Sequence, residues 1–335
     1  MGDILSILMG CFGVTGRTYR ERGAFFVTLA EGRRMAKILK TSEHPAIVQG
    51  RYFLLEALAA AGFENTDRIV LSVQDSPCVN LGRETYIMTR HRIGAELNFE
   101  NEMDVLAAFE GLSKLHDAGQ KLGQVLQKPQ NQIYPPVALP LTTVWERQIF
   151  GLKQALKQVN NIARLSDFDV LFLKNANQYM KRASDALAAL AATDYVEMQA
   201  EAAVKRHLCH NALKEENFVI FDNDGVKTCF ITRFNDAASD LQLTDLSAFI
   251  RRYAQRSART IPMSALLKSY GLSMPLPPHM LEILHAQLLY PWIFMKITAQ
   301  YYSKKRGFTP AGITSRMTDL LEAQAGYDEY IRISD

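Results

Sequence analysis

Residues Arg206 to Asp245, RHLCHNALKEENFVIFDNDGVKTCFITRFNDAASDLQLTD, decide how the rest of the chain is read. Phe218–Phe221 and Thr228–Ile231 are apolar, β-prone runs, and Asp222-Asn223-Asp224-Gly225 between them is a strong hairpin turn. His210 and Asn217 therefore lie on the loop that enters the hairpin. Phe234 to Asp240 lie on the segment that leaves it and runs into a helix.

His210 and Asn217 stand seven positions apart, the spacing of the pattern H-x-D-x-x-x-x-N. In phosphoryl-transfer enzymes the Asp of that loop is the catalytic base and the Asn a metal ligand; a second Asp after the next strand holds magnesium. The base position here is Ala212. The second position, seven before Asp240, is Arg233, followed by a retained Phe234. The layout resembles aminoglycoside and choline phosphotransferases. The fold it implies is α+β and protein-kinase-like: two lobes, the small one β-rich with one helix, the large one mainly helical. The frame of the loop is present without its two carboxylates.

Upstream, Phe25–Leu29 and Arg34–Leu39 look like two strands joined by Ala30–Arg33. In the kinase-like frame Lys37 is the lysine that meets nucleotide phosphates; outside it, Lys37 is a surface lysine on a strand. Only Gly23 lies near Arg20-Glu21-Arg22, poor material for a Gly-rich phosphate cradle. A helix from about Pro45 to Ala61 follows, with Ser42 or Glu43 near its start and Gly62 ending it. The acidic partner expected for Lys37 falls at Gln49 or Arg51, and Glu56 belongs to another face. Ile69–Val73 and Thr85–Thr89 complete the small sheet, and Thr89 to Gly94 is the hinge whose backbone would meet an adenine. Lys37, Thr89, His91 and Asn217 are thus the candidate nucleotide-binding residues. The expected lobes are residues 1–90 and 91–335, the latter carrying the degenerate loop 206–245.

Glu102–Ala118 is helical by the spacing of Val105, Phe109, Leu112 and Leu115. Gly119–Leu141 reads as a proline-containing surface loop. Trp145, Ile149, Leu152, Leu156 and Val159 mark one helix; Leu173, Ala176, Met180, Ala183, Leu187 and Leu190 mark the next, with a capping signature at Ser166 and Asp169. A helix beginning at Leu246 carries Arg251, Arg252, Arg256 and Arg259, read as a solvated basic face. Met280–Ser303 is expected to kink at Pro291, and Met317–Ile331 is the last helix.

At 335 residues the chain can bury a sizeable core, and its 48% hydrophobic, 22% charged composition is that of an ordinary globular protein. A net charge of +3 is too small to make nucleic acid a principal partner. Cys11, Cys78, Cys209 and Cys229 show no paired spacing, which points to a reducing compartment. No apolar stretch is long enough to span a membrane, and MGDILSILMGCFGV has no basic residue ahead of it, unlike a signal peptide.

Over nearly its whole length the chain resembles the spore-coat kinase-like family of spore-forming bacteria, the CotS and YsxE type, within the aminoglycoside phosphotransferase-like superfamily. The residues that carry the likeness are Arg22–Phe25 through Lys37, Tyr86–Thr89 with Gly94 and Glu96, Leu115-His116, Leu208–His210 with Asn217, Asp240–Leu246, Phe249–Arg252, Leu289–Pro291 and Tyr301-Tyr302. Where the family usually has Gly-Asp, this chain has Asn211-Ala212. The resemblance implies location in the mother-cell cytoplasm and the spore coat, with other coat proteins as partners. It frames two main readings. One is a kinase fold without the chemistry, with a structural or binding role in coat assembly and ATP binding possible with or without magnesium. The alternative is a divergent ATP-dependent phosphotransferase acting on a small molecule or protein, with Glu215 or Glu216 as a relocated base and Asn217 with Asp236 as metal ligands. A nucleotide-dependent switch is the third.

Overall fold

The computed structural model describes residues 2–21, 23–28, 35–125, 135–303 and 309–332. The expected turn at Ala30–Arg33, Arg22 of the family signature and the centre of the 119–141 segment lie outside them. Two compact units emerge. The first takes Met1–Val137, Ala202–Gln242 and Lys268–Pro275; the second takes Ala138–Glu201, Leu243–Leu267 and Leu276–Asp335. The sequence boundary at residue 90 falls inside the first unit, which joins the N-terminal sheet to the 206–242 segment.

In the first unit, β1 (Arg17–Glu21), β2 (Ala24–Thr28), β3 (Met35–Thr41), β4 (Ile69–Val70), β5 (Val79–Leu81) and β6 (Glu84–His91) form an antiparallel sheet. Its order is β1-β2-β3-β6-β4, with β5 also paired to β6. Strand side chains alternate between faces. Val27, Ala36, Ile38 and Met88 pack with Leu8 of a helix unread in the sequence, α1 (Gly2–Cys11), and with Phe12 just beyond its end. Ala24, Phe26 and Met35 form a cluster of their own with Leu39. Lys37, paired opposite Phe26, belongs to that second face.

Helix α2 (Pro45–Ala60) is capped by neither Ser42 nor Glu43 but by His44, whose Nδ1 accepts from the Ala46 N–H. The cause is Pro45 at the first helical position. A residue before proline is pushed to extended backbone, the geometry of an N-cap, and His44 has ψ 140°. Gly62, at φ +99°, follows the helix where a side chain would be strained.

Strand β7 (Ala95–Glu96) is followed by α3 (Glu102–Gln120), whose Val105, Phe109, Leu112 and Leu115 are fully buried. The helix runs past Ala118, and α4 (Leu122–Val125) follows, so the segment expected as a loop from Gly119 starts as helix. Strand β8 (Leu208–Cys209), the hairpin β9 (Phe218–Asn223) and β10 (Val226–Ile231), and β11 (Ala238–Ser239) complete the unit. The hairpin turn shrinks to Asp224 (φ +53°) and Gly225 (φ +85°), two consecutive left-handed residues as a primed turn requires. β9 also pairs with β7, and α3 packs on β10.

The second unit is helical: α5 (Leu141–Val159), α6 (Asp167–Ala191), most of α7 (Tyr195–Lys205), α8 (Leu243–Arg256), the start of α9 (Met263–Gly271), α10 (Pro278–Leu289), α11 (Trp292–Tyr302) and α12 (Pro310–Tyr330). The Ser166–Asp169 capping box forms in full. The buried stripe of α6 is Phe168, Phe172, Ala176, Tyr179, Ala183 and Leu190; Leu173, Met180 and Leu187 are only half-buried. Aromatic stacking rotates the helix, with Tyr179 on Phe294 at 4.0 Å and Phe168 on Tyr301 at 3.9 Å between ring centroids. Pro291 breaks the expected single helix into α10 and α11 rather than kinking it. Arg251 is no solvated face residue: it donates to the Gln287 carbonyl and lies over the Trp292 ring.

Candidate functional site

The second face of the N-terminal sheet and the start of β9 enclose a cleft of about 360 Å³ within the first unit. Ala24, Phe26 and Met35 line one wall, Val219 the other, and the exposed residues Arg92, Ile93 and Gly94 line its edge. Lys37, Asp67, Thr89, Glu216 and Arg233 also line it. The four of these other than Glu216 line an adjoining cavity of about 140 Å³, together with Glu43, Arg51, Phe234 and Asn235. Thr89 and His91, expected in the hinge, are the last residues of β6, so the connection proper is Arg92–Gly94. It can pass against β9 because residue 94 is glycine: a Cβ there would sit 2.6 Å from the Val219 Cγ1 and 2.8 Å from the Ile220 carbonyl oxygen.

The loop from His210 to Asn217 is held by hydrogen bonds of its own. His210 is fully buried; its Nε2 donates to the Thr232 carbonyl at 2.9 Å and its Nδ1 accepts from the Ala212 N–H at 3.3 Å. Its ring packs edge-on against Phe234. Asn211 has φ +60°, a conformation that Gly adopts freely and that Asn tolerates better than most residues. Asn217, 3% exposed, donates from Nδ2 to the Ala212 carbonyl at 2.5 Å, and its own carbonyl accepts from the Thr232 N–H at 2.8 Å. The frame is held entirely by groups other than the missing carboxylate. At the base position there is a methyl group.

Arg233 occupies the second position in a left-handed conformation, φ +66° and ψ +58°. Its backbone N–H donates to both carboxylate oxygens of Asp67 at 3.3 Å, and its Nη1 lies 3.0 Å from the Glu216 Oε1. Burial pushes the Asp67 carboxyl up to about 6, against the lowering effect of those backbone hydrogen bonds and the Arg51 charge. Burial, followed by the Arg233 charge, pushes the Lys37 ammonium below the usual lysine range. The ammonium lies 5.6 Å over the centre of the Phe26 ring.

Arg51 on α2 projects to this cleft, and Glu56 does not. Arg51 is 4% exposed and pairs with Glu43 at 2.6 Å; the same Glu43 oxygen accepts from Asn235 at 3.1 Å. Glu56 is engaged by both ends of the Arg68 guanidinium. The helix that should offer Lys37 a carboxylate offers a guanidinium. Asp236 is exposed on the turn after Arg233 and lines neither cavity. Asp67 and Glu43 were not read from the sequence, since nothing in their spacing joins them to residues 233–235; only the folded chain does.

A magnesium site tests poorly on these residues. The buried Asn217 Oδ1 has no hydrogen-bond partner, as a ligand atom would, but the position that should complete the site is a permanently charged guanidinium. Among the described residues no group of three or more His, Cys, Asp or Glu is placed to hold a metal. Magnesium does not fit this site.

The model of the family described as "Spore coat putative kinase YutH" matches residues 9–333. The chain belongs to that family. No curated protein matches the sequence significantly. Among solved structures, an aminoglycoside phosphotransferase from Alicyclobacillus acidocaldarius subsp. acidocaldarius DSM 446 is similar over 95% of this chain and 90% of its own, at 16% identity and a TM-score of 0.78. A microcompartment-associated aminopropanol kinase covers 99% of this chain and 98% of its own, at 12% identity and TM-score 0.58. The amicoumacin kinase hAmiN covers 100% and 95%, at 14% identity and TM-score 0.56. At such identities the likeness shows the fold, which is kinase-like and α+β. The YutH-family chain is thus a spore-coat kinase-like protein. Among the described residues no helix is long and apolar enough to cross a membrane.

Proposed function

We propose that this YutH-family chain is a kinase-fold protein without phosphoryl-transfer chemistry, acting as a structural or binding component in assembly of the endospore coat. Residues 1–90 form its small lobe and 91–335 its large lobe. Its partners are other coat proteins, met in the mother-cell cytoplasm and retained in the coat. The observation that supports this reading is that Arg233, the residue the sequence pattern aligns with the metal-binding aspartate, is paired with Glu216 at 3.0 Å. A guanidinium stays protonated and repels a divalent cation. Loss of the base at Ala212 removes a further ~10²–10⁴ in rate.

The same ion pair weighs against a relocated base, because Glu216 is already engaged by a cation. Asp236, the other residue such an enzyme would need, is exposed and outside both cavities. The test is turnover. The purified full chain, given ATP and magnesium, should hydrolyse or transfer no phosphate above the level of its Lys37→Ala variant. Wild-type turnover that vanishes in both Lys37→Ala and Glu216→Ala would establish an active enzyme and end this proposal.

A further inference from the structure

Helices α5 and α11 pack together within the second unit, yet a groove of about 400 Å³ stays open between them. It is larger than either cavity of the cleft and shares no lining residue with them. The facing stripes of the two helices explain it. On α5 the lining runs Gln148, Gly151, Ala155 and Gln158; on α11 it runs Met295, Thr298, Ala299 and Tyr302. Both follow the three- and four-residue steps of one helix face. Small residues stand where larger ones would close the gap: Gly151 and Ala155 on one side, Ala299 on the other. Packing does not force the glycine, because a Cβ at residue 151 would meet no atom within 4 Å. A glycine inside a helix also weakens it, so the helix itself has no use for this one. What the missing side chain leaves is room.

The walls have a definite chemistry. Leu152, Ala155 and Met295 are buried and apolar, and Tyr302 adds a ring. The polar lining is supplied by amides, hydroxyls and one guanidinium, Arg147, and among the described residues no Asp or Glu joins them. The Gln148 Oε1 already accepts from the Tyr290 hydroxyl at 2.8 Å, so the amide's remaining capacity is chiefly its N–H donors. A cationic ligand would meet no counter-charge here, and a doubly charged anion would meet only one. We propose that this groove binds a small, singly charged carboxylate with an apolar body. The carboxylate lies on the Arg147 guanidinium, whose planar fork can take both oxygens, and the body lies along Leu152 and Met295 in the space that Gly151 leaves. A volume of this size is that of a small-molecule pocket, mostly apolar with a few placed polar groups. None of its residues belongs to the His210 loop, so the site is independent of whether the chain has turnover.

Calorimetric titration of the full chain with phenylbutyrate, phenylbutylamine and phenylbutanol tests this, since the three probes share one apolar body and differ in charge. Phenylbutyrate should bind in the millimolar range or tighter, and the amine and the alcohol about tenfold or more weakly. Arg147→Gln, at an exposed position, should weaken phenylbutyrate about tenfold by loss of charged hydrogen bonds. Gly151→Leu should fill the groove and abolish binding, with a thermal unfolding midpoint no lower than that of the wild type, because leucine favours helix and the position has space. That midpoint separates a blocked groove from a misfolded chain. Equal binding of the three probes, wild-type affinity in Arg147→Gln or in Gly151→Leu, or no binding of phenylbutyrate at about 10 mM would each overturn the proposal.

Discussion

The Arg233 Nη1 lies 3.0 Å from the Oε1 of Glu216, the residue just before Asn217, and the Arg233 backbone N–H is held by Asp67. One residue is thus tied at its main chain to the strand side of the cleft and at its side chain to the loop that follows His210. Left-handed backbone in a non-glycine residue costs on the order of 1 kcal/mol and persists only where the surroundings hold it. Asp67 supplies that hold. If Arg233 marks the metal position, as proposed above, several consequences can be measured.

Arg51 and Glu43 form the least exposed ion pair of the cleft, with side-chain exposures of 4% and 21%. Arg51→Ala would leave Glu43 partly buried with only the Asn235 amide and the Thr41 hydroxyl as partners. The loss expected is about 2–4 kcal/mol, near the lower end for breaking a buried pair. Replacing both members, Arg51→Met with Glu43→Gln, should recover more than half of it. Urea denaturation of the two variants and the wild type measures this, and an Arg51→Ala variant as stable as wild type would show that the pair contributes nothing.

Asp67 makes stability depend on pH in a direction unusual for a carboxylate. Its folded pKa, about 6, lies above the ordinary value near 3.8. Between those values the folded chain holds a proton that the unfolded chain has released, so stability falls as pH rises through this window and stays lowered above it. Arg51, Lys37 and the Arg233 N–H face the group and soften the penalty without removing it. Asp67→Asn keeps an acceptor for Arg233 and abolishes the titration. Relative to wild type it should gain on the order of 1–3 kcal/mol between about pH 4 and pH 7. Stability difference curves that run parallel across that range would refute the assignment.

The hairpin and the helix that follows it were legible because each rests on local signals, turn chemistry and period. Asn211, a residue that tolerates left-handed backbone, has φ +60°. Less was legible where packing decides. Phe168, Phe172 and Tyr179 turn α6 away from the stripe its leucines suggest, because rings stack on Phe294 and Tyr301. Helix α1 went unread since its apolar residues have no clear period, and only the sheet face carrying Val27 and Ile38 gives them a partner. Asp67 and Glu43 lie 166 and 192 residues from Arg233 and Asn235, the partners that make them part of the site.

Gly94 should be intolerant of even one carbon. A Cβ would meet the β9 backbone at the Ile220 oxygen and the Val219 side chain, both inside van der Waals contact. Gly94→Ala must push the connection away from β9, at about 1–3 kcal/mol by the usual cost of overpacking. Thermal unfolding measures it; an unchanged midpoint would mean the connection is looser than its contacts indicate.

Restoring the two carboxylates is the most direct trial of what the site has lost. The backbone at residue 212 is already fixed by the Asn217 Nδ2 and the His210 ring, so Ala212→Asp adds a carboxylate to a loop held without it. Residue 233 is left-handed, a region that aspartate enters more readily than arginine, and Asp67 would still hold its N–H if the new charge is shared with a cation. With Arg233→Asp the unpartnered Asn217 Oδ1 gains a carboxylate able to complete a divalent site. The double variant should therefore be stabilised by ATP only when magnesium is present, and should hydrolyse ATP at least ~10²-fold faster than either single variant, since a placed base is worth about 10²–10⁴. Adding Lys37→Ala should abolish the gain. A double variant that folds, binds magnesium with ATP and still shows no turnover would mean that Arg51, standing where Lys37 needs an acidic partner, is a third break in the site. A double variant that gains no magnesium dependence at all would mean Arg233 does not mark the metal position.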